Sequence, residues 1–245
     1  MAILVTRPHP DDEATAAILR ARGFEVLLAP MLRFEALALH EDADTPYGAV
    51  IVTSANALRG IASGLKGNPM LKLPLFAVGD HTAAAARANG FEQVISAGGD
   101  AGNLRHCVLA SVKAKALKKT SPLLYLAGAD LARDLASELG ERGFTVVTQT
   151  TYRMVPLSNL PRATCEAFAA NQIEAVLHYS RRSARAFLDS VRAAGVEISA
   201  LSVPQCCISA GVASLLRDAG ATQVMVAASP DENALFALLD RALRA

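Results

Sequence analysis

Short apolar runs alternate with longer amphipathic stretches along almost the whole chain. Ile3–Thr6 reads as a buried strand, followed by a helical pattern from Asp11 to Arg22. Gly23 ends that helix, as a residue free to take positive φ would. Val26–Ala29 is the next predicted strand. Further strands are predicted at Ala49–Thr53, Leu75–Val78, Gln93–Ile95, Leu123–Leu126, Val146–Gln149, Ala175–Tyr179, Cys206–Ser209 and Gln223–Val226. Helical patterns separate most of them, for example at Thr82–Asn89, Leu131–Arg142, Ser183–Ala194, Val212–Ala219 and Asp231–Arg244. Strand–helix alternation on this scale predicts an α/β protein with parallel sheets covered by helices on both faces.

The pattern also repeats. A shift of 120 sets ILVTRPHPDDEATAAILRARGFEVLLAPML, from Ile3, on LLYLAGADLARDLASELGERGFTVVTQTTY, from Leu123, and aligns Leu19 with Leu139, Gly23 with Gly143 and Val26 with Val146. A shift near 130 sets the segment from Phe76 on the segment from Cys207, aligning Ala83 with Ala213, Gly90 with Gly220 and Val94 with Val224. VTSANALRG and HYSRRSARA correspond as well, pairing Ser54 with Ser180. The chain therefore reads short unit, long unit, short unit, long unit, which predicts two similar α/β domains. The repeat leaves open which long unit each short unit packs with. Pro30–Leu39 and Val147–Val155 each look like extended segments continuing past a strand, and side by side they would make a double linker.

Composition agrees with this picture. At 245 residues the chain is one large domain or two small ones. Hydrophobic residues are 52%, charged residues 19% and mean hydropathy is +0.28, which excludes wholesale disorder. Aromatics are 5% with no Trp, favouring α/β packing over an aromatic-rich sandwich. The formal charge of +1 gives nucleic-acid binding no bulk electrostatic support. The one basic run, Lys113 to Lys119, carries four Lys and reads as a solvated helix end. Cys107, Cys165, Cys206 and Cys207 show no CxxC spacing, and buried, reduced thiols are expected. The opening MAILVTRPHPDDEA lacks the order of a signal peptide, and no apolar stretch is long enough to cross a bilayer. A soluble, cytoplasmic protein is expected. No heptad demands a partner chain, so a monomer is expected too.

Several familiar chemistries lack their motifs. No GxGxxG follows a strand, and GxxxxGK[ST], GxSxG and HExxH are absent. His9, His40, His81, His106 and His178 have no ligand spacing, so no metal is expected. What remains is a set of small, hydroxylic loops after strands, where open α/β sheets bind ligands. They are Thr53-Ser54-Ala55-Asn56; Gly79, Asp80 and Thr82; Gly128 and Asp130; Ser180, Arg182 and Ser183; and Ser209-Ala210-Gly211. Helix N-capping explains any one of them. Together they would aim helix N-termini and backbone amides at one ligand rich in carboxylates or phosphates.

Taken in order, VTSANAL, FAVGDHTAAAARANGF, LYLAGADLARDLASELGERGFTVVTQTTYRMVP, HYSRRSARAFL and CISAGVASLLRDAG resemble uroporphyrinogen-III synthase of the tetrapyrrole pathway. The resemblance spans nearly the entire chain. It implies two flavodoxin-like domains, residues 1–33 with 157–245 and residues 38–148. Two linker strands, about 30–39 and 147–156, would join them, with the active site in the interdomain cleft. It implies a cyclising lyase without metal or organic cofactor, acting on hydroxymethylbilane, a linear tetrapyrrole bearing acetate and propionate arms, and inverting its ring D. Tyr152 matches the tyrosine of the family's VYR-like segment and is the expected aid to the leaving group. Thr53, Ser54, Asn56, Gly79, Thr82, Ser180 and Ser183 match positions presenting hydroxyls or amides to substrate, and Arg7 and Arg182 are candidates for its carboxylates. Two departures stand out. Ala127 occupies the place of an arginine frequent before the glycine equivalent to Gly128, and Ser209-Ala210-Gly211-Val212 replaces Gly-Pro-x-Thr. Binding at the latter would rest on backbone N–H groups. Two readings compete: a two-domain binding protein for a polyanionic small molecule, and a degenerate nucleotide-dependent transferase.

Overall fold

A computed structural model of the chain describes residues 1–39, 45–99, 101–131 and 133–244. His40, and Ala132 within the helix expected over Leu131–Arg142, lie outside the described residues. In chain order the elements are β1 (Ala2–Val5), α1 (Asp11–Ala21), β2 (Glu25–Leu28), β3 (Leu32–Ala36), β4 (Ala49–Val52), α2 (Ala55–Ile61), β5 (Pro74–Ala77), α3 (Asp80–Ala88), β6 (Gln93–Ser96), α4 (Ala101–Lys113) and β7 (Leu123–Gly128). They continue with α5 (Leu135–Gly140), β8 (Val146–Pro156), α6 (Arg162–Ala169), β9 (Ile173–His178), α7 (Arg181–Ala193), α8 (Glu197–Ser202), β10 (Gln205–Cys207), α9 (Ala210–Asp218), β11 (Val224–Val226) and α10 (Glu232–Ala242).

The chain divides into two compact units, Met1–Phe34 with Val155–Ala245 (unit 1) and Glu35–Met154 (unit 2). The sheet of unit 1 has the order β11-β10-β9-β1-β2, and the second sheet has the order β3-β8-β7-β4-β5-β6. The pairs β1–β2, β1–β9, β9–β10 and β10–β11 are parallel, as are β7–β8, β4–β7, β4–β5 and β5–β6. Substituting β7 for β1, β8 for β2 and β4, β5, β6 for β9, β10, β11 turns the first order into the second apart from β3, which the second sheet adds beside β8, so the sequence repeat is a repeat of sheet topology. Pairing of β1 with β9 joins the first short segment to the last long one. Gly23 and Gly143, and Gly90 and Gly220, aligned by the repeat, all take positive φ where their helices end.

Alternation along the strands builds two cores per sheet. In unit 2, Val50, Val52, Leu124 and Leu126 pack with Ala57 and Leu58 of α2 and Ala83 of α3 on one face. Ala49, Ile51, Phe76 and Leu123 pack with Leu104 of α4 and Leu139 of α5 on the other. In unit 1, Ile3, Val5 and Leu177 meet Leu19 of α1 and Leu235 of α10, while Cys207 meets Leu188 of α7 and Leu216 of α9. Each fully buried Leu or Ile contributes about 1.5–3 kcal/mol of transfer free energy. Cys206 and Cys207 sit on opposite faces of β10, and burial pushes both thiols up to about 12.

Several elements differ from the sequence reading, which does not name α2, α4, α6 or α8. The helix expected over Leu131–Arg142 begins only at Leu135, because Asp134 caps it by accepting from the Ser137 amide at 2.9 Å and the Ser137 hydroxyl at 2.6 Å. Of the basic run only Lys113 is helical, since Lys115 takes φ 60° and turns the chain beyond α4. β8 runs unbroken for 11 residues.

His178 is fully buried at the end of β9, packed edge-on against Phe187 with ring centroids 5.1 Å apart. Gln205 donates from Nε2 to the carbonyls of Ala200 and Val203, both at 2.8 Å, so its Oε1 accepts and His178 Nε2 carries the proton, at 2.8 Å. Burial pushes the imidazole down to about 4, against the opposing pull of the Gln205 bond. A value below the unfolded one means that the unfolded chain binds the extra proton. The contribution is therefore complete above pH ~6.5 and declines as pH falls toward 4, by at most about 1.4 kcal/mol per pH unit. Urea titrations at pH 6.5 and 5 should show wild type losing about 1–2 kcal/mol more than His178→Asn; equal losses would refute the assignment.

Candidate functional site

The loops that leave the carboxyl ends of β4 and β7 in unit 2, with the neighbouring stretch of β8, build a cavity of about 410 Å³. Thr53 and Ser54 follow β4. Ser54 caps α2 by accepting from the Asn56 amide at 3.2 Å. The Thr53 hydroxyl lies 3.0 Å from the Tyr125 hydroxyl, and Tyr125 is only 2% exposed. Burial raises the Tyr125 phenol above its ordinary value, with the Thr53 bond acting the other way.

Tyr152 stands opposite Gly128 in the β7–β8 pairing, where the register shifts between Ala127 and Gly128. A Cβ at Gly128 would lie 2.6 Å from Tyr152 Cζ and 2.8 Å from its hydroxyl oxygen. Only glycine leaves the phenol its place. On the neighbouring residue a Cβ at Gly60 of α2 would lie 2.2 Å from the Thr151 carbonyl oxygen. The buried Thr151 hydroxyl sits 3.0 Å from the Ala57 carbonyl and 3.3 Å from that of Ala127, and the Ala129 amide donates to the Tyr152 carbonyl at 2.9 Å. Backbone on both sides therefore fixes Thr151–Tyr152.

Of the residues expected to touch ligand in unit 2, Thr53, Ser54, Gly128 and Tyr152 line this cavity. Asn56, Gly79 and Thr82 do not. Asn56 Oδ1 accepts from Arg59 at 2.6 Å, Gly79 caps α3 with extended backbone, and Thr82 is buried in the first turn of α3. Tyr125 and Arg133 line the cavity without having been singled out for it. Tyr125 sits in an apolar strand run, and its pattern tells of a buried ring and not of where the hydroxyl ends. Arg133 pairs with Glu138, five residues on, a local pairing that the helix assumed across this loop hides.

In unit 1 the Ser180 hydroxyl caps α7, accepting from the Ser183 amide at 3.0 Å, and lies 2.9 Å from the Ser183 hydroxyl. Ser183 is 1% exposed, so its hydroxyl is turned inward and not toward a ligand. Ser209 caps α9 without a side-chain bond, and Ala210 and Gly211 form that helix's first turn, followed by buried Val212. Arg7 is committed inside unit 1. Its guanidinium donates to Glu232 at 2.9 Å, Thr15 at 3.1 Å and Asp11 at 3.4 Å, and lies 4.4 Å over the Tyr179 ring. The carboxylate expected from a ligand is supplied by α10. The Tyr179 hydroxyl also donates to Glu232, at 2.9 Å, and burial with that negative neighbour raises its pKa. Arg182 is half-buried beside Arg181 and Arg185. Among the described residues no cluster of three His, Cys, Asp or Glu could hold a metal ion, and no helix is long and apolar enough to cross a membrane.

These features define a doubled parallel α/β protein with a hydroxyl-lined cavity at the carboxyl edge of one sheet. The family model for uroporphyrinogen-III synthase HemD matches residues 13–237. A crystal structure of uroporphyrinogen-III synthetase from Helicobacter pylori 26695 superposes with TM-score 0.65 at 19% identity, covering 98% of this chain and 98% of that one. A mutant uroporphyrinogen III synthase from the extremely thermophilic bacterium Thermus thermophilus gives TM-score 0.58 at 17% identity, covering 100% of this chain and 99% of that one. No curated protein matches the chain. The chain belongs to the uroporphyrinogen-III synthase family.

The two glycines should behave differently on substitution. Gly60→Ala meets a backbone carbonyl and should cost unit 2 at least about 1–3 kcal/mol; a wild-type melting temperature in calorimetry would contradict the close approach. Gly128→Ala meets the far end of a ring. It should cost less than about 1 kcal/mol but turn the phenol out of the cavity, detected as lost activity at wild-type stability.

Proposed function

We propose that the chain cyclises hydroxymethylbilane to uroporphyrinogen III, inverting ring D and releasing water, with no metal or organic cofactor. Loss of the hydroxyl, with loss of a pyrrole N–H proton, leaves an electrophilic azafulvene and one water. The substituted carbon of ring D attacks it to give a spiro intermediate, which fragments and recloses with ring D inverted. All bonds made and broken belong to the substrate, so the protein has to orient the chain and assist departure of the hydroxyl. Orientation of this kind lowers barriers by several kcal/mol.

The observation that carries the reading is the Tyr152 phenol, held against Gly128 in the hydroxyl-lined cavity of a chain of this family. In this role Tyr152 donates a hydrogen bond to the departing hydroxyl. Thr53, Ser54 and Gly128 bind beside it. Ser180, Ser209, Ala210 and Gly211 in unit 1 offer substrate carboxylates a hydroxyl and helix N-terminal amides. The proposal includes a connection of two strands, about 30–39 and 147–156, and substrate held by loops of both domains. It has the protein acting as a cytoplasmic monomer.

Incubation with hydroxymethylbilane should yield the type III isomer; the spontaneous type I isomer alone would refute the proposal. Activity should survive exhaustive chelation. Tyr152→Phe should lower kcat on the order of 10²-fold, the scale of a lost proton-donating group, with its melting temperature nearly unchanged. Unchanged kcat would remove Tyr152 from the mechanism.

A further inference from the structure

We propose that unit 1 carries a second, cationic site: a groove along α7 that grips carboxylate arms of an extended polyanionic chain. Identifying that chain as the linear tetrapyrrole rests on the function proposed above. The groove is a cavity of about 360 Å³ lined by Arg181, Arg182 and Arg185, with Pro156 at the end of β8 and Leu215 of α9. Positions i and i+4 of a helix are neighbours on one face, so Arg181 and Arg185 share one strip of surface, and Arg182, three residues before Arg185, borders it.

Several arginines find acids within the fold, as Arg7 does in Glu232, Arg22 in Asp240, Arg105 in Glu138 and Arg192 in Glu197, while Arg87 and Arg217 donate to the carbonyls of Val94 and Val224. Among the described residues neither Arg181 nor Arg185 has a carboxylate within ion-pair distance. Among the described residues that line the groove Asp189 is the one acid, two turns along from Arg181.

This arrangement works against its own helix. Cations in a first turn oppose the helix dipole, and like charges four residues apart repel. Capping is no explanation, because Ser180 already accepts from the Ser183 amide. A local conflict of this kind is relieved when an anion is bound. Guanidinium forks match carboxylates two bonds at a time, while Pro156 and Leu215 supply apolar wall for the carbon chain of the arm. A nucleic acid would need a broader basic surface than a chain of formal charge +1 provides.

The test compares Arg181→Gln/Arg185→Gln with Lys113→Gln/Lys118→Gln, which removes equal charge from an exposed stretch of unit 2, in steady-state assays with hydroxymethylbilane at fixed ionic strength. The arginine variant should raise KM tenfold or more with kcat within twofold, and melt no lower than wild type. The lysine variant should keep the wild-type KM. A wild-type KM in the arginine variant, while wild type still makes the type III isomer, overturns the groove and leaves the function standing. Absence of the type III isomer from wild type refutes the function by itself. The groove is then read with citrate, a free tricarboxylate: stabilisation of wild type that the arginine variant loses supports it, and equal melting shifts overturn it.

Discussion

Everything in the unit 2 site hangs on two approaches closer than any side chain would allow. The Thr151 carbonyl reaches to where a Cβ of residue 60 would stand, and the Tyr152 ring occupies the space of a Cβ at residue 128. Real Cβ contacts never come so near, so the chain must be bare at both points. In return β8 is pressed onto α2 and β7 without slack, and Thr151 spends its hydroxyl on carbonyls of those same two elements. The phenol is thereby placed before any ligand arrives. Such preorganisation is worth most where a catalyst works by orientation, since the entropy of ordering the donor has been met during folding.

The repeat shows what is special to unit 2. The 120-residue shift that sets Gly23 on Gly143 also sets Pro8 against Gly128 and Leu32 against Tyr152. Unit 1 keeps the sheet order, the left-handed glycines and the capping serine, yet has neither the bare backbone nor the phenol. Ser54 and Ser180 cap their helices in nearly the same conformation, with φ of −150° and −156°. Scaffold was preserved in both halves, while the hydroxyl cavity belongs to one and the arginine strip to the other.

Much of this was legible from order along the chain. Strand–helix alternation gave both sheets, because strands buried on both faces read as continuous apolar runs, and the capping residues marked helix starts. What was hidden depends on distant partners. Gly60 reads as a weak spot in a helix until the Thr151 carbonyl, far along the chain, explains it. Arg7 reads as an exposed base ready for a ligand, but Glu232 closes on it from the last helix. Ser183 reads as a hydroxyl at a loop, and its burial appears only once α7 is packed. Asp134 overrides the apolar period before α5 because a satisfied cap outweighs four residues of pattern. Tyr125 looks like core and is core, except at its hydroxyl.

The make-up of the cavity also bears on the proposed chemistry. An azafulvene is an electrophile that any good nucleophile nearby would trap. Among the described residues the lining holds no Cys, Lys or His, its one carboxylate is that of Asp130, and its inner phenol, Tyr125, is raised by burial and so is held as the neutral hydroxyl. Cys206 and Cys207 lie in the core of unit 1 with their thiols pushed up to about 12, far from the thiolate form that reacts. Hydroxyls can donate hydrogen bonds to a leaving group and still be poor at attacking what it leaves behind. A site with a catalytic dyad or a metal-bound hydroxide would risk consuming its own intermediate, whereas hydroxyls around a fixed phenol leave ring D as the nucleophile at hand.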